Sequence, residues 1–266
     1  MSRKNASPNP SGPRRSSRNT LLNIIILILL AVMIVSGVQL GRAWYRYHTG
    51  TQAYKQIQKT AGTDTDTRSG GSSAHSSGDS HDPDWAALQK KYKNIRAWLK
   101  QDETVINYPV AQAKDNQYYL YRLLNGKWNV KGTLFIDYRN RHPFHDFLTV
   151  IYGHRMKDRS MFWHIADYRN TSYYSKHPEM TLYTPDENYT LKIFAAATIP
   201  ADSPKYKFDF SSRQDKQDYL DWIQKKTVLH TDVTVSASDR IVMLSTCTYE
   251  YKNARAVVFA KLVKKQ

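Results

Sequence analysis

The amino-acid sequence predicts a mainly β fold, closed or nearly closed on itself, carried behind one membrane-spanning helix. Two observations predict it. Between residues 105 and 263 short apolar runs recur, bounded by turn residues, with one helical stretch among them. Ahead of them Leu21–Leu40 (LLNIIILILLAVMIVSGVQL) is an almost unbroken apolar run, close to the ~20 residues that a bilayer core requires.

Residues 1–20 form a polar Pro/Ser/Arg-rich tail that is expected to be disordered. They carry Arg3, Lys4, Arg14, Arg15 and Arg18 and no acid. Residues 21–40 exceed a signal-peptide core, and no clear A-x-A site follows, so an uncleaved anchor is expected and a cleaved signal is the alternative. The basic tail keeps the N-terminus cytoplasmic, against the weaker opposition of Arg42 and Arg46, and places the rest outside the cell. Trp44, Tyr45 and Tyr47 fit the outer aromatic belt. Residues 41–82 are read as a short juxtamembrane helix followed by a flexible linker, since 61–82 (AGTDTDTRSGGSSAHSSGDSHD) has almost no apolar content.

The folded domain spans 83–266. From Asp84 to Lys100, apolar Trp85, Leu88, Tyr92, Ile95 and Leu99 recur at helical spacing. Strand-like runs follow at 105–110, 132–137, 147–152, 180–183 and 189–196, and then at 241–244 and 256–263. A helix interrupts them over 211–226. Ser211 to Gln214 form a candidate capping box, and Tyr219, Leu220, Trp222 and Ile223 mark the apolar face.

Apolar residues at 41% and aromatics at 12% support a packed core, and a net charge of +16 favours anionic partners. Extracytoplasmic placement turns that preference away from nucleic acid and toward lipid or wall polymer. There is no Gly-rich phosphate loop and no Cys/His group with zinc spacing, so neither a metal nor a cofactor is expected.

Cys247 is the only cysteine, so the domain holds no internal disulfide. A free thiol is mostly protonated at neutral pH, and a neighbouring cation raises its thiolate fraction. Strand alternation puts Ile241, Met243, Ser245 and Cys247 on one face, and Arg255 opens the next run on the face of Val257 and Phe259. A hairpin through 248–254 brings the two together. Arginine stays protonated, so it serves as a donor to an oxyanion and not as a base. Among nine histidines, His154 stands apart: it follows the strand Thr149–Tyr152 and a glycine, where a rigid scaffold presents a loop side chain. A buried, inert cysteine and a surface arginine are the competing readings.

These residues resemble the signature of the sortases, membrane-anchored cysteine transpeptidases of Gram-positive bacteria. The likeness rests on LSTC (244–247), on Arg255 within ARAVVFAKL, and on TVIYGHRMKDRSMF (149–162). The wording of YGH-x-MKD-x-SMF, INYPVAQAKDNQYYL (106–120) and KGTLFIDYRN (131–140) is similar to class B members. The resemblance implies an eight-stranded barrel with an N-terminal helix and an inserted helix before the cysteine strand. It implies that Cys247 attacks a threonine carbonyl in a C-terminal sorting motif, with His154 as acid and base and Arg255 as oxyanion donor. The acceptor is then an amine of a peptidoglycan precursor or of a pilin. Ser245, Thr246, Tyr152 and Asn116 are implied as groove residues.

Overall fold

A computed structural model describes residues 17–63, 82–248 and 250–265. The expected disordered tail and linker fall largely outside these residues. The chain divides into two compact units, residues 1–46 and 47–266.

Helix α1 runs without interruption over Ser17–Ala61. In the first unit its side chains from Leu21 to Leu40 are exposed, and the apolar stretch is long enough to cross a membrane. In the second unit the same helix is a packing element. Tyr54, Ile57 and Ala61 are buried in the main core cluster. The Tyr54 hydroxyl donates to the Gly132 carbonyl, and Gln58 Nε2 donates to Asn107 O at 2.7 Å. The stretch Tyr47–Ala61 is therefore part of the folded domain.

Helix α2 (Trp85–Lys91) is capped by Asp84, whose carboxylate accepts from Ala87 N at 2.9 Å. It ends well before Lys100, and Ile95–Lys100 is strand β1. The expected longer helix fails for a plain reason. Ile95 and Leu99 are four apart, a spacing that suits both a helical turn and a strand's two-residue period. Cross-strand bonding to two neighbours then decides for strand.

The remaining strands are β2 (Asn107–Ala111), β3 (Leu134–Ile136), β4 (Leu148–Tyr152), β5 (Glu179–Tyr183), β6 (Asn188–Pro200), β7 (Ile241–Cys247) and β8 (Ala254–Lys264). They close into a barrel in the order β1-β2-β3-β4-β7-β8-β6-β5. The β2–β3 and β4–β7 pairs are parallel and the other pairs are antiparallel. The main cluster draws on all eight strands, including Val242, Leu244, Val258 and Ala260, and is the barrel interior.

Alternate residues of β7 and β8 face outward and are covered by helix α4 (Arg213–Lys226), which packs Tyr219, Leu220 and Ile223 on Met243, Val257 and Phe259. Burying each such side chain contributes about 1.5–3 kcal/mol. The N-cap of α4 is Ser212, one residue after the expected Ser211, and its hydroxyl accepts from Asp215 N at 3.1 Å. Asp215 in turn accepts from Ser211 N. The only other α-helix among the described residues is the short α3 (Thr171–Lys176).

Candidate active site

Because β4 and β7 run parallel, their C-terminal ends leave the barrel at the same rim. Tyr152 sits in register with Ser245, and Gly153 N continues the ladder onto Ser245 O at 3.1 Å. His154 and Cys247 follow within two residues of that pair. On the other side, β7 and β8 place Cys247 opposite Arg255. The turn between them is closed by Thr248 N on Ala254 O, with Asn253 in the left-handed region at φ 62°. Cys247 and Arg255 are both half-buried on the outer face of the barrel wall. The expected parity is thus realised as a direct cross-strand pair.

Gly153 is required by close approach. A Cβ there would meet Leu134 Cδ2 at 2.5 Å and Phe162 Cδ2 at 2.6 Å. The backbone can therefore turn into His154 tightly against the wall. The imidazole Nε2 lies 2.6 Å from Leu120 O, and a carbonyl only accepts, so Nε2 carries a hydrogen. Burial pulls the ring's pKa below the ordinary histidine value, partly opposed by the Leu120 bond. The neutral ring then exposes Nδ1 as its proton acceptor. Tyr121 packs beside the ring with centroids 5.4 Å apart.

The segment after His154 folds back on itself. Phe162 N donates to His154 O at 2.9 Å, Arg155 bridges Met161, and Arg159 and Met161 adopt positive φ. Its tip is pinned by Lys131, whose side chain is 3% exposed. The ammonium reaches Asp158 Oδ2 at 2.7 Å, Ser160 Oγ at 3.0 Å and Thr51 Oγ1 of α1 at 3.0 Å.

A cleft of about 210 Å³ joins these groups, lined by Asn116, Leu120, Tyr152, His154, Ser245, Cys247 and Arg255, with Phe135, Tyr206 and Ala201 among the others. Arg255 uses one N–H on Ala254 O at 3.0 Å, which leaves further donors on the guanidinium. Ser245 Oγ shares a hydrogen bond with Tyr206 OH at 2.8 Å. Burial pushes the Tyr206 hydroxyl pKa up to about 12, so it stays neutral. Tyr206 stands over Tyr152, with ring centroids 5.8 Å apart. Thr246 also lines the cleft, yet alternation directs its side chain to the opposite face from Cys247, and its hydroxyl is buried without a hydrogen-bond partner.

Beneath the cleft lies Asp137, fully buried. Sequence reasoning did not single it out, although a carboxylate two residues before Arg139 at a strand end was a legible signal. Tyr206 and the Leu120 carbonyl had no such signal. A larger cavity, about 590 Å³, is lined by Arg96, Arg141, His142, His145, Asp186, Glu187 and others. It holds no thiol, and it sits near the start of β6, the end of that strand opposite the one paired with Ala254 and Arg255.

Residues 99–263 match the family model for the sortase domain. Sortase B of Listeria monocytogenes serovar 1/2a is 33% identical over 243 residues, covering 91% of this chain and 96% of that protein. Sortase B of Staphylococcus aureus is 36% identical over 184 residues, covering 68% of this chain and 75% of its own. In three dimensions the chain is similar to a Staphylococcus aureus sortase B–substrate complex, with TM-score 0.72, 31% identity, and coverage of 84% and 100%.

Proposed function

The chain belongs to the sortase family, class B-like in sequence and fold, and from that premise we propose a membrane-anchored cysteine transpeptidase that acts on a C-terminal sorting motif. The observation that carries the proposal is the cross-strand pair Cys247–Arg255 in one cleft with His154. Cys247 gives its proton to Nδ1 of the neutral His154, and the thiolate sulfur attacks the carbonyl carbon of the motif's threonine. Arg255 donates to the oxyanion that forms, in a partly dry cleft where such a bond is strong. The C–N bond then breaks, the imidazolium protonates the departing amine, and a thioester remains on Cys247. An incoming amine of a peptidoglycan precursor or a pilin attacks the thioester and gives its proton to His154. The thiolate leaves, and the new amide departs.

Ser245, Tyr152 and Asn116, with Thr246 through its place on the rim, form the peptide groove. A similar protein, Staphylococcus aureus sortase B, forms a complex with substrate, which supports reading this cleft as a substrate site. The basic N-terminal tail supports a cytoplasmic N-terminus, with the catalytic domain outside the cell.

The test uses the full chain in detergent micelles and quenched-fluorescent peptides carrying sorting motifs, with and without an added amine. We expect cleavage after threonine, an amide product when amine is present, and no turnover in Cys247→Ala. Cleavage that survives Cys247→Ala would refute the nucleophile. Hydrolysis that still dominates at saturating amine would instead assign a peptidase.

A further inference from the structure

The buried carboxylate of Asp137 has no part in the bond-making steps above, yet it joins three walls of the cleft. Burying a charge is costly unless it is paired and hydrogen-bonded. Here it accepts five bonds. Arg139 supplies three: its backbone N to Oδ1 at 3.0 Å, Nε to Oδ1 at 2.9 Å and Nη2 to Oδ2 at 2.8 Å. Asn116 Nδ2 and Tyr152 OH each donate to Oδ2 at 2.9 Å. The Arg139 guanidinium also lies 4.1 Å from the ring centre of Phe208, in the same β6–α4 connection as Tyr206.

The consequence falls on Asn116. Its Oδ1 accepts from Tyr138 N at 3.0 Å, and one Nδ2 hydrogen goes to Asp137. A flipped carboxamide would set its NH2 against the Tyr138 N–H and its carbonyl against the carboxylate. Both contacts are repulsive, so one orientation is fixed. One N–H remains, on a residue that lines the cleft. Without the carboxylate only the Tyr138 N–H holds that orientation, and the amide is less firmly kept as a donor.

We infer that Asp137 is a positioning residue that makes Asn116 a one-way donor to a carbonyl oxygen of the bound peptide. The inference rests on the proposed reading that a peptide fills this cleft. Asp137 never touches the peptide. It selects for an acceptor on it.

The experiment measures kcat and KM separately for a sorting peptide, using the full chain in micelles. Asn116→Ala should raise KM about tenfold and Asp137→Asn by a smaller factor, each changing kcat less than about threefold, the pattern of lost uniform binding. The double variant should be no worse than Asn116→Ala alone, because Asp137 acts only through that amide. Effects that multiply, or a fall in kcat at unchanged KM, would overturn the inference. The exchanged pair Asn116→Asp with Asp137→Asn guards against simple unfolding. It restores one amide–carboxylate bond, although the new NH2 faces Arg139 Nη2, so it should melt above the Asp137→Asn single variant, yet it has no donor for the cleft and should keep the raised KM. Recovery of wild-type KM in that pair would reduce Asp137 to a structural role. Absence of turnover in the wild type sinks the proposed function together with this inference; wild-type turnover with insensitive KM values sinks the inference alone.

Discussion

Removing either end of the Lys131–Asp158 pair should destabilise the domain unequally, and burial sets the order. Asp158→Ala leaves an ammonium whose side chain is 3% exposed without its counter-charge. Breaking a buried pair this way costs about 3–5 kcal/mol, and the hydroxyls of Thr51 and Ser160 that remain hold the loss near the lower figure, about 3 kcal/mol. Lys131→Met keeps most of the buried stem. It strands a carboxylate that is 33% exposed, which water can reach. Losing a charged hydrogen bond there costs about 1.5–3 kcal/mol, and rehydration of Asp158 brings the expected loss to about 2 kcal/mol. The double variant should lose less than the sum of the two, because the second change removes a group already stranded. Urea titration of the full chain in a non-denaturing detergent, followed by tryptophan fluorescence, reads these losses as shifts in midpoint at constant slope. If Lys131→Met costs as much as Asp158→Ala, or if the two losses simply add, the buried charge is not what organises this loop.

Two further outcomes are expected. Arg255→Ala should lower kcat/KM by ~10²–10³, the usual loss for an oxyanion donor, with an unchanged melting temperature, since the one hydrogen bond its side chain makes among the described residues is to its neighbour's carbonyl; turnover near the wild-type level would remove that role. His154, held neutral by burial, should make the fold sensitive to acid. Its folded pKa lies below the unfolded value of ~6.5, so its stability contribution is complete above that pH and is lost as pH falls toward the folded pKa. His154→Gln should therefore shrink the fall in melting temperature between about pH 7.5 and 5.5, and identical slopes in the two proteins would contradict the burial argument.

The strands were legible where apolar runs ended in turn residues, as at Leu148–Tyr152 and Ile241–Cys247. β1 was hidden because its apolar spacing also fits a helix, and only pairing with β2 and β5 distinguishes the two. Cys247 and Arg255 could be brought together from strand alternation alone, since a hairpin is a local structure. The neighbourhood of His154 and Cys247 was not local. It depends on the parallel β4–β7 pairing, which no short-range pattern encodes. Asp137 stayed unnoticed because its partners, Asn116 and Tyr152, come from segments on either side of it in the chain and meet only in the closed barrel. The role of Tyr47–Ala61 in the core was masked by a polar linker that made the preceding helix look detached. Its burial of Tyr54 and Ile57 appears only once the barrel wall is present.

The parallel pairing of β4 with β7 also bears on when the cleft is assembled. Local hairpins such as β5–β6 and β7–β8 can form early, whereas residues 148–152 and 241–245 must close a long loop before either strand is rewarded. Cys247 and His154 therefore come together late in folding, and a partly folded chain holds the thiol and the imidazole apart.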